Sequence, residues 1–320
     1  HRTYSALALH APIKTPRDFW QAMAREEEAH VAFWSKIVSD VVLADKLPVL
    51  FDNANEVIDE LDAILPKVKS LKCDDLDQLS VEESFIIAYW LEFYMLHPAF
   101  EVLYHLLRGL INEPCPQDEY ENHINRFVEA LATFGKVTPA LELLGETLQR
   151  LWRENKKLAE RATRDGLTDC LNRQAFNEIA RQLCFLAKRK GETVGIMMID
   201  LDNFKRVNDE KGHQVGDMVI KFAGQTIQKN IRSADVVARY GGEEFIVCMP
   251  NIDLPRAKEV AERVRVAFSH MEIDSLSPTL SVGVSVKTIG DDIDASNQEL
   301  LKEADANLYR AKELGRNRVV

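Results

Sequence analysis

The sequence has few features of an exported, membrane-spanning or nucleic-acid-binding protein. Its five cysteines include no CxxC pair and lie far apart, which favours reduced thiols in a cytoplasmic protein. The most apolar run, Phe85–Leu91, is too short for a membrane span and is followed at once by Glu92. With 40 basic and 51 acidic residues, the net charge of −11 argues against a general nucleic-acid binder. The chain starts at His1, which leaves open whether a targeting segment precedes it.

Glycine is also scarce in the first part of the chain, residues 1–138, where apolar residues recur with a helical period. This pattern predicts an all-α domain, a bundle of three to five helices. The expected helices cover residues 15–44, 55–71, 80–110 and 118–134. Pro98 should kink or split the third of them, because proline breaks the helical hydrogen-bond ladder.

Residues 139–163 carry apolar residues spaced alternately three and four apart, which predicts a short coiled-coil connector. The expected seam consists of Leu141, Leu144, Leu148, Leu151, Asn155, Leu158 and Ala162. Asn155 favours a parallel dimer, since a single polar residue on such a seam fixes register and oligomeric state. The alternative is that these leucines pack on the helical bundle of their own chain.

Residues 164–320 alternate β-rich runs with helical segments, which predicts an α/β domain with a central mixed sheet flanked by helices. Strands are expected at 194–199, 236–240, 244–249 and 279–286, and helices at 216–231, 255–268 and 298–314. The chain is therefore expected to have two domains, an all-α amino-terminal one and an α/β carboxyl-terminal one, joined by the connector.

Acidic residues stand at two places in this α/β domain where a ligand is expected. Asp200 follows the first strand, and open α/β sheets bind ligands at the carboxyl ends of strands. Gly241-Gly242 predicts a two-residue turn in which both glycines can take positive φ, with Glu243 and Glu244 directly after it. Burying such acids is costly unless a metal or cation compensates them, and Mg²⁺ prefers carboxylates. An exposed acidic hairpin end is the plainer alternative.

The run Gly241-Gly242-Glu243-Glu244-Phe245 resembles the signature hairpin of the diguanylate cyclases, the GGDEF-domain family, in a GGEEF variant. Further runs at 165–173, 200–217 and 304–317 resemble that family's other motifs in the same order. The resemblance covers about 155 residues and nothing before about residue 160. It implies a palm-like fold and an enzyme that condenses two GTP into cyclic di-GMP plus two pyrophosphate.

The resemblance also implies roles for the matched residues. Asp200, the Leu201 carbonyl and Glu243 would hold Mg²⁺ or Mn²⁺, with Glu244 close by and Glu243 assisting deprotonation of the attacking hydroxyl. Lys205 would stabilise phosphate charge. The residues expected to bind the nucleotide are Phe204, Asn208, His213, Asp217, Gly241, Gly242, Lys312 and Arg316. Among these, Asn208 and Asp217 would read the guanine, and Lys312 and Arg316, four apart where the last helix ends, would hold the β- and γ-phosphates.

Two further expectations follow from the resemblance. Arg232 and Asp235 resemble the family's RxxD inhibitory site for the product cyclic di-GMP, with Arg239 assisting; a helix-end salt bridge is the alternative. Each domain would offer one GTP site, so joining two nucleotides would require a homodimer. No nucleic acid or membrane is expected as a partner.

The amino-terminal helices contain histidines and glutamates that could hold a sensor metal, Fe or Zn. Glu27 and His30 form an ExxH step, and His97, Glu101 and His105 recur every four residues on one expected helical face. Further candidates are Glu60, Glu83, Glu92 and His123, or a zinc site with Cys73. Against this, such residues on amphipathic helices are more often surface groups, and the full pattern of two glutamates and two ExxH steps is not present in order.

The leading hypothesis is a dimeric diguanylate cyclase regulated by a helical sensor. One alternative is a catalytically silent receptor for cyclic di-GMP or GTP, against which the intact Asp200, Lys205, Glu243 and Glu244 argue. The other is a cyclase that makes cyclic AMP or GMP within one nucleotide.

Overall fold

The structure is a computed structural model that describes residues 2–10, 14–37, 54–70, 79–97, 99–101, 117–134 and 139–320. The chain divides into two compact units, His1–Glu160 and Arg161–Val320. Among the described residues, no helix is both long enough and apolar enough to cross a bilayer.

The amino-terminal unit is built from helices, as the sequence predicts. They are α1 (Arg2–His10), α2 (Lys14–Ile37), α3 (Ala54–Ser70), α4 (Val81–Met95), α5 (Gln117–Phe134) and α6 (Pro139–Thr163). A single core cluster draws side chains from α1, α2, α4, α5 and α6, with rings such as Trp20 and Phe85 in contact at a centroid distance of 4.8 Å. Helix α1 is not among the helices expected from the sequence.

Helix α4 covers the part of the predicted third helix that precedes Pro98. It begins at a capping box: the Glu83 N–H donates to Ser80 Oγ at 3.2 Å, and the Ser80 N–H donates to Glu83 Oε2 at 2.8 Å. It ends at Met95, ahead of Pro98, and the chain is helical again at 99–101. The split at Pro98 agrees with the prediction, because a proline disfavours helical backbone at the residue before it. Glu83 serves this cap and not a metal site.

The predicted coiled-coil seam lies mostly inside the amino-terminal core. Leu141 and Leu148 are buried members of that core, and Leu144 and Leu151 pack against it. Asn155 is buried and donates its side-chain N–H to the Leu96 carbonyl of the same chain. Packing on the helices of its own chain therefore accounts for most of the seam, and Asn155 does not argue for a dimer register. Leu158 is exposed, so a coiled coil at the end of α6 remains a prediction.

The carboxyl-terminal unit consists of four strands and five helices, and residues 161–320 are all described. They are α7 (Arg173–Lys190), β1 (Thr193–Leu201), α8 (Phe204–Lys211), α9 (His213–Asn230), β2 (Val236–Arg239), β3 (Glu244–Pro250), α10 (Leu254–Ser269), β4 (Leu280–Thr288) and α11 (Ile293–Glu313). The strands form one sheet in the order β2-β3-β1-β4. Every pairing between them is antiparallel, so the predicted mixed sheet is wrong for the strands. Parallel pairing occurs only in isolated bridges, Leu171 with Ala238 and Val282 with Val319.

Alternating side chains of β1 face two different helical layers. Met197, Ile199 and Leu201 belong to the core that the sheet forms with α9 and α10. Met198 and Asp200 point to the other face, because successive side chains of a strand alternate. On that face α7 and α11 pack together and contact the sheet. The sequence therefore places Asp200 on the face covered by α11.

Gly283 sets how closely α11 approaches the sheet. A Cβ at this position of β4 would collide with backbone atoms of Ala304 and Leu308 in α11. Backbone atoms cannot move aside as a flexible side chain can, so only glycine allows this distance. The close packing brings the last turn of α11, with Lys312, to the end of β1.

Candidate active site

Asp200 lies where three elements of the carboxyl-terminal unit meet. In the sheet register it stands opposite Glu244 of β3 and Ser281 of β4. It is 6% exposed, and its Oδ2 lies 2.8 Å from the Lys312 Nζ of α11. The predicted acid at the strand end is thus a buried carboxylate held by one ammonium group.

Glu243 and Glu244 add two carboxylates next to this pair. The Leu201 N–H donates to the Glu243 carbonyl at 3.2 Å, which joins the hairpin end to the end of β1. Burial raises the pKa of Glu243, the nearby Asp200 raises it further, and Lys312 opposes this. Burial also raises the pKa of Asp200 against the effect of Lys312, with Glu244 and Asp202 adding to the rise. Three carboxylates therefore share one ammonium, and the excess negative charge suits a cation.

The donor atoms at this strand end are oxygens, which suit a divalent metal ion that prefers oxygen ligands. Asp200 and Glu243 supply carboxylate oxygens, and Leu201 supplies a backbone carbonyl at the same strand end. Mg²⁺ and Mn²⁺ prefer such oxygen ligands, and Mg²⁺ is usually bound through one or two carboxylates plus substrate phosphates.

The hairpin turn differs from the predicted turn in its length and in the conformation of its glycines. The residues between β2 and β3 number four, 240–243, and neither Gly241 nor Gly242 has positive φ. The N–H groups of Tyr240 and Gly241 both donate to the Glu244 carbonyl, at 2.8 and 3.3 Å. A Cβ on Gly241 would collide with the Glu244 carboxylate. Gly241 thus leaves room for the flexible Glu244 side chain against the backbone and does not adopt a left-handed conformation.

Arg239 links this turn to Asp165. Its guanidinium donates to the Gly242 carbonyl through Nε at 3.1 Å and Nη2 at 2.7 Å, and Nη1 lies 3.1 Å from Asp165 Oδ2. Burial raises the pKa of Asp165, but hydrogen bonds from Thr168 and the charge of Arg239 bring it below its ordinary value. These contacts hold the Arg239 side chain at the turn, and its assistance to an inhibitory site stays a prediction. Asp165 is a supporting residue that sequence reasoning missed.

Asp202 is a second supporting residue that the sequence analysis did not single out. It is buried, and its carboxylate accepts hydrogen bonds from Thr279 Oγ1 at 2.8 Å and Ser281 Oγ at 2.6 Å. The Asn317 N–H adds a third at 3.0 Å, which ties the end of the chain to β1. Its position two residues after Asp200 puts it on the same face, but its partners lie 77 or more residues away and leave no local signal.

The expected guanine pocket is assembled in part. Phe204 is buried, and both its ring and the Asn208 amide lie against Gly216, where a Cβ would strike them. Lys205, His213 and Asp217 are exposed on α8 and the start of α9, close to this group along the chain. Gly216 thus makes room for two of the predicted nucleotide-binding side chains.

Lys312 and Arg316 do not share a helical face as predicted. Helix α11 ends at Glu313, Leu314 caps it, and Arg316 follows with a φ of 64°. The four-residue spacing therefore crosses the end of the helix and gives no common direction. Lys312 is paired with Asp200, whereas Arg316 is exposed.

Arg232 and Asp235 close a tight turn before β2. The Arg232 N–H donates to Asp235 Oδ2 at 2.8 Å, and the Asp235 N–H donates to the Arg232 carbonyl at 3.0 Å. The contact runs through the Arg232 backbone, unlike the salt bridge considered as the alternative. Asp235 Oδ1 is buried and has no hydrogen-bond partner among the described residues. Burial raises the pKa of Asp235, although Arg232 and Arg263 oppose the rise.

The structure describes four of the five predicted sensor-metal residues. Glu27 Oε1 and His30 Nδ1 are 3.1 Å apart, as the ExxH step suggests. His97 lies in the break after α4 and its Nε2 is 3.0 Å from Glu60, so its four-residue step to Glu101 is not helical. Glu101 is buried, and His105 lies outside the described residues.

Residues 162–318 match the family model described as diguanylate cyclase, GGDEF domain. Diguanylate cyclase DgcP of Pseudomonas aeruginosa is 35% identical over 164 residues, which are 50% of this chain and 24% of that protein. Probable diguanylate cyclase DgcT of Escherichia coli K12 is 42% identical over 163 residues, 50% of this chain and 35% of that protein. This chain thus spans about a quarter to a third of those relatives' lengths.

Among solved structures, the coiled coil and GGDEF domain of DgcB from Caulobacter crescentus, in complex with c-di-GMP, is similar to this chain. The sequence identity is 31%, the match covers 55% of this chain and 93% of that one, and the TM-score is 0.51.

Glu243→Gln is expected to raise the free energy of unfolding of the metal-free protein at neutral pH. It removes a carboxylate whose charged form is disfavoured by burial and by Asp200. The pKa of Glu243 is higher in the folded chain than in the unfolded chain, where it is about 4. Glu243 therefore contributes most to the free energy of unfolding below about pH 4, and this contribution is lost as the pH rises through the folded-state pKa. The stability gap between variant and wild type should therefore widen with pH.

Urea unfolding of the full chain with a chelator present, at several pH values, measures this gap. Glu272→Gln, at an exposed glutamate, is the control and should show little change. A Glu243→Gln variant less stable than wild type at pH 7 would contradict the electrostatic description of the site.

Proposed function

We propose, since the carboxyl-terminal unit of this chain belongs to the GGDEF-domain family, that the protein condenses two GTP molecules into cyclic di-GMP and releases two pyrophosphate. The observation that carries the proposal is the meeting of Asp200, Glu243 and Glu244 with Lys312 at the end of β1. A catalytically silent receptor would have no need to keep three crowded carboxylates there. The similarity to diguanylate cyclase DgcP and to probable diguanylate cyclase DgcT supports the same activity.

The carboxylates and the Leu201 carbonyl are proposed to hold Mg²⁺ or Mn²⁺. When bound, the ion supplies positive charge against the triphosphate and the developing charge of the transition state. Lys312 adds a second positive charge at the same strand end, with a side chain 32% exposed. Lys205 and Arg316, both exposed, are proposed to contact the phosphates.

Glu243 is proposed to accept the proton of the ribose 3′ hydroxyl. The oxygen attacks the α-phosphorus of the second nucleotide, a P–O bond forms, and the bond to pyrophosphate breaks; the same exchange in the other direction closes the ring. Glu243 suits this role because its carboxylate adjoins Asp200 at the strand end where the metal ion would be held.

We assign guanine recognition to the side chains around Gly216. Asp217 can accept hydrogen bonds from the guanine N1 and N2 donors, and the Asn208 amide can satisfy the remaining edge. Phe204 and His213 are proposed to line the pocket. This assignment favours GTP over ATP and disfavours a cyclase that makes cyclic AMP.

Dimerisation and regulation complete the proposal. One domain holds one nucleotide, and a symmetric product with two phosphodiester links needs two sites facing each other. We therefore propose a homodimer in the cytoplasm, whose assembly the amino-terminal helices control. Most of α6 is committed to the amino-terminal core, so its exposed end, including Leu158, is the proposed connector.

Glu243→Gln is expected to lower the rate of product formation by at least about 100-fold, since it removes a base and a metal ligand together. The experiment incubates the purified full chain with GTP and Mg²⁺ and resolves the products by mass spectrometry. Glu272→Gln is the matched control and should keep the wild-type rate. Absence of cyclic di-GMP from a confirmed dimer would overturn the proposal. Binding of cyclic di-GMP without turnover would favour a catalytically silent receptor. Cyclic GMP as the sole product would favour a cyclase that acts within one nucleotide.

Product feedback is proposed to act through Arg232 and Asp235. The turn keeps both residues in fixed backbone contact, while the Asp235 carboxylate retains a buried oxygen without a partner among the described residues. Such an oxygen can accept a hydrogen bond from the N–H edge of a guanine, and the Arg232 guanidinium can donate to its acceptor edge.

Arg232→Ala is expected to raise the cyclic di-GMP concentration that halves the activity by about tenfold or more, the effect of losing one charged hydrogen bond. The Arg232 backbone contact with Asp235 survives this change, so the turn should persist. Initial rates with added product measure the effect, and Lys229→Ala, at an exposed residue of α9, is the control. Inhibition that is equal in both variants and the wild type would show that this turn is not the inhibitory site.

A further inference from the structure

A buried group of ionisable side chains lies in the amino-terminal unit, apart from every residue used so far. Four helices contribute to it, with side chains from α1, α2, α4 and α5. Its members are Tyr4, Glu26, Glu27, His30, Glu92 and His123. None of them belongs to the GGDEF domain, which begins at residue 162.

His123 is the centre of this group. It is 2% exposed, and its Nε2 lies 2.9 Å from Glu92 Oε1 and 3.6 Å from Glu27 Oε1. Glu92 is 1% exposed. One ligand atom from each of the three residues lies within 4.8 Å of the others. Three donors from three helices thus converge on one point, at a spacing that a single metal ion can bridge.

Each of these three side chains is also held from outside. Glu26 Oε2 lies 2.7 Å from His123 Nδ1, so the ring is oriented with Nε2 toward Glu27 and Glu92. Tyr4 donates its hydroxyl to Glu92 Oε1 at 2.5 Å, and His30 Nδ1 lies 3.1 Å from Glu27 Oε1. A carboxylate on the far nitrogen of a histidine is the usual support of a metal-binding imidazole, since it fixes the tautomer and the ring orientation.

The charge balance of the group also favours a cation. The buried carboxylate of Glu92 and the partly buried carboxylate of Glu27 both face the His123 ring, with His30 beside Glu27, and carboxylates in a helical core are costly unless positive charge matches them. A proton on His123 can offset one carboxylate, which is the plainer explanation of an ion-pair network. A divalent ion offsets both, and it accounts for the shared direction of the three donor atoms.

We propose that Glu27, Glu92 and His123 bind one divalent transition metal ion, Zn²⁺ or Fe²⁺. The donor set combines imidazole with carboxylate and has no sulfur, which suits these ions better than Cu⁺. Three protein ligands leave a coordination position open for water or a small molecule. The site combines Glu27 with Glu92 and His123, two of the further candidates from the sequence, and assigns His30 and Glu26 to positioning.

The test measures metal content, independently of cyclase activity. The full chain carrying Asp200→Asn and Glu243→Gln, which weaken the proposed cyclase metal site, is purified without chelators or a metal-affinity step and analysed by plasma mass spectrometry. About one Zn or Fe per chain is expected. Adding His123→Gln or Glu92→Gln should lower the content at least about tenfold, whereas His97→Gln, at a histidine paired with Glu60, should not.

Two further measurements decide the outcome if a ligand variant fails to fold, which circular dichroism would reveal. Co²⁺ added to the metal-stripped chain should bind one per chain and give visible absorption bands typical of four- or five-coordination. Glu26→Gln, which keeps all three ligands, should weaken Co²⁺ binding about tenfold or more. A folded chain without stoichiometric metal and without saturable Co²⁺ binding would overturn the proposal and identify a buried ion-pair network. Full metal content in folded His123→Gln would also overturn it, because the metal would then lie at another site.

Discussion

The crowding of negative charge at the end of β1 is the constraint on which the carboxyl-terminal unit depends. Asp200 is buried there, Glu243 and Glu244 adjoin it, and Lys312 alone opposes their charge among the contacts of Asp200 that the structure describes. Burial and mutual repulsion raise the pKa of Asp200 and Glu243. The folded unit therefore holds crowded carboxylates whose mutual repulsion a bound divalent cation would relieve.

The rest of the unit holds these groups in place. Gly283 lets α11 approach the sheet, and with it Lys312 reaches Asp200. Asp202 ties the end of the chain to β1 through Asn317, and Arg239 braces the hairpin turn. These contacts hold the hairpin, α11 and the end of the chain against the end of β1, where the carboxylates lie. Preorganisation of this kind is what makes charged groups effective in catalysis.

The sequence predicted the carboxylates of the proposed metal site better than the residues that support them. Asp200 and Glu243 could be found because a strand end and a glycine pair are local signals, and the predicted strands lie close to the observed ones. Helix α7 was missed although its caps are readable: Asn172 accepts from the Ala175 N–H, and Gly191 follows with a φ of 68°. The hydrogen bonds of Asp202 and the contact of Glu92 with His123 both join residues far apart in the chain. Such contacts arise from tertiary packing and have no period.

The most direct test of the central claim is the binding of Mn²⁺ with a GTP analogue that cannot react, followed by electron paramagnetic resonance. The full chain, Asp200→Asn and Glu243→Gln are compared, since any site in the amino-terminal unit is the same in all three. The account predicts that wild type binds at least about one Mn²⁺ per chain more than either variant in the presence of the analogue. Equal Mn²⁺ binding by all three would contradict the claim that these carboxylates form a cation site.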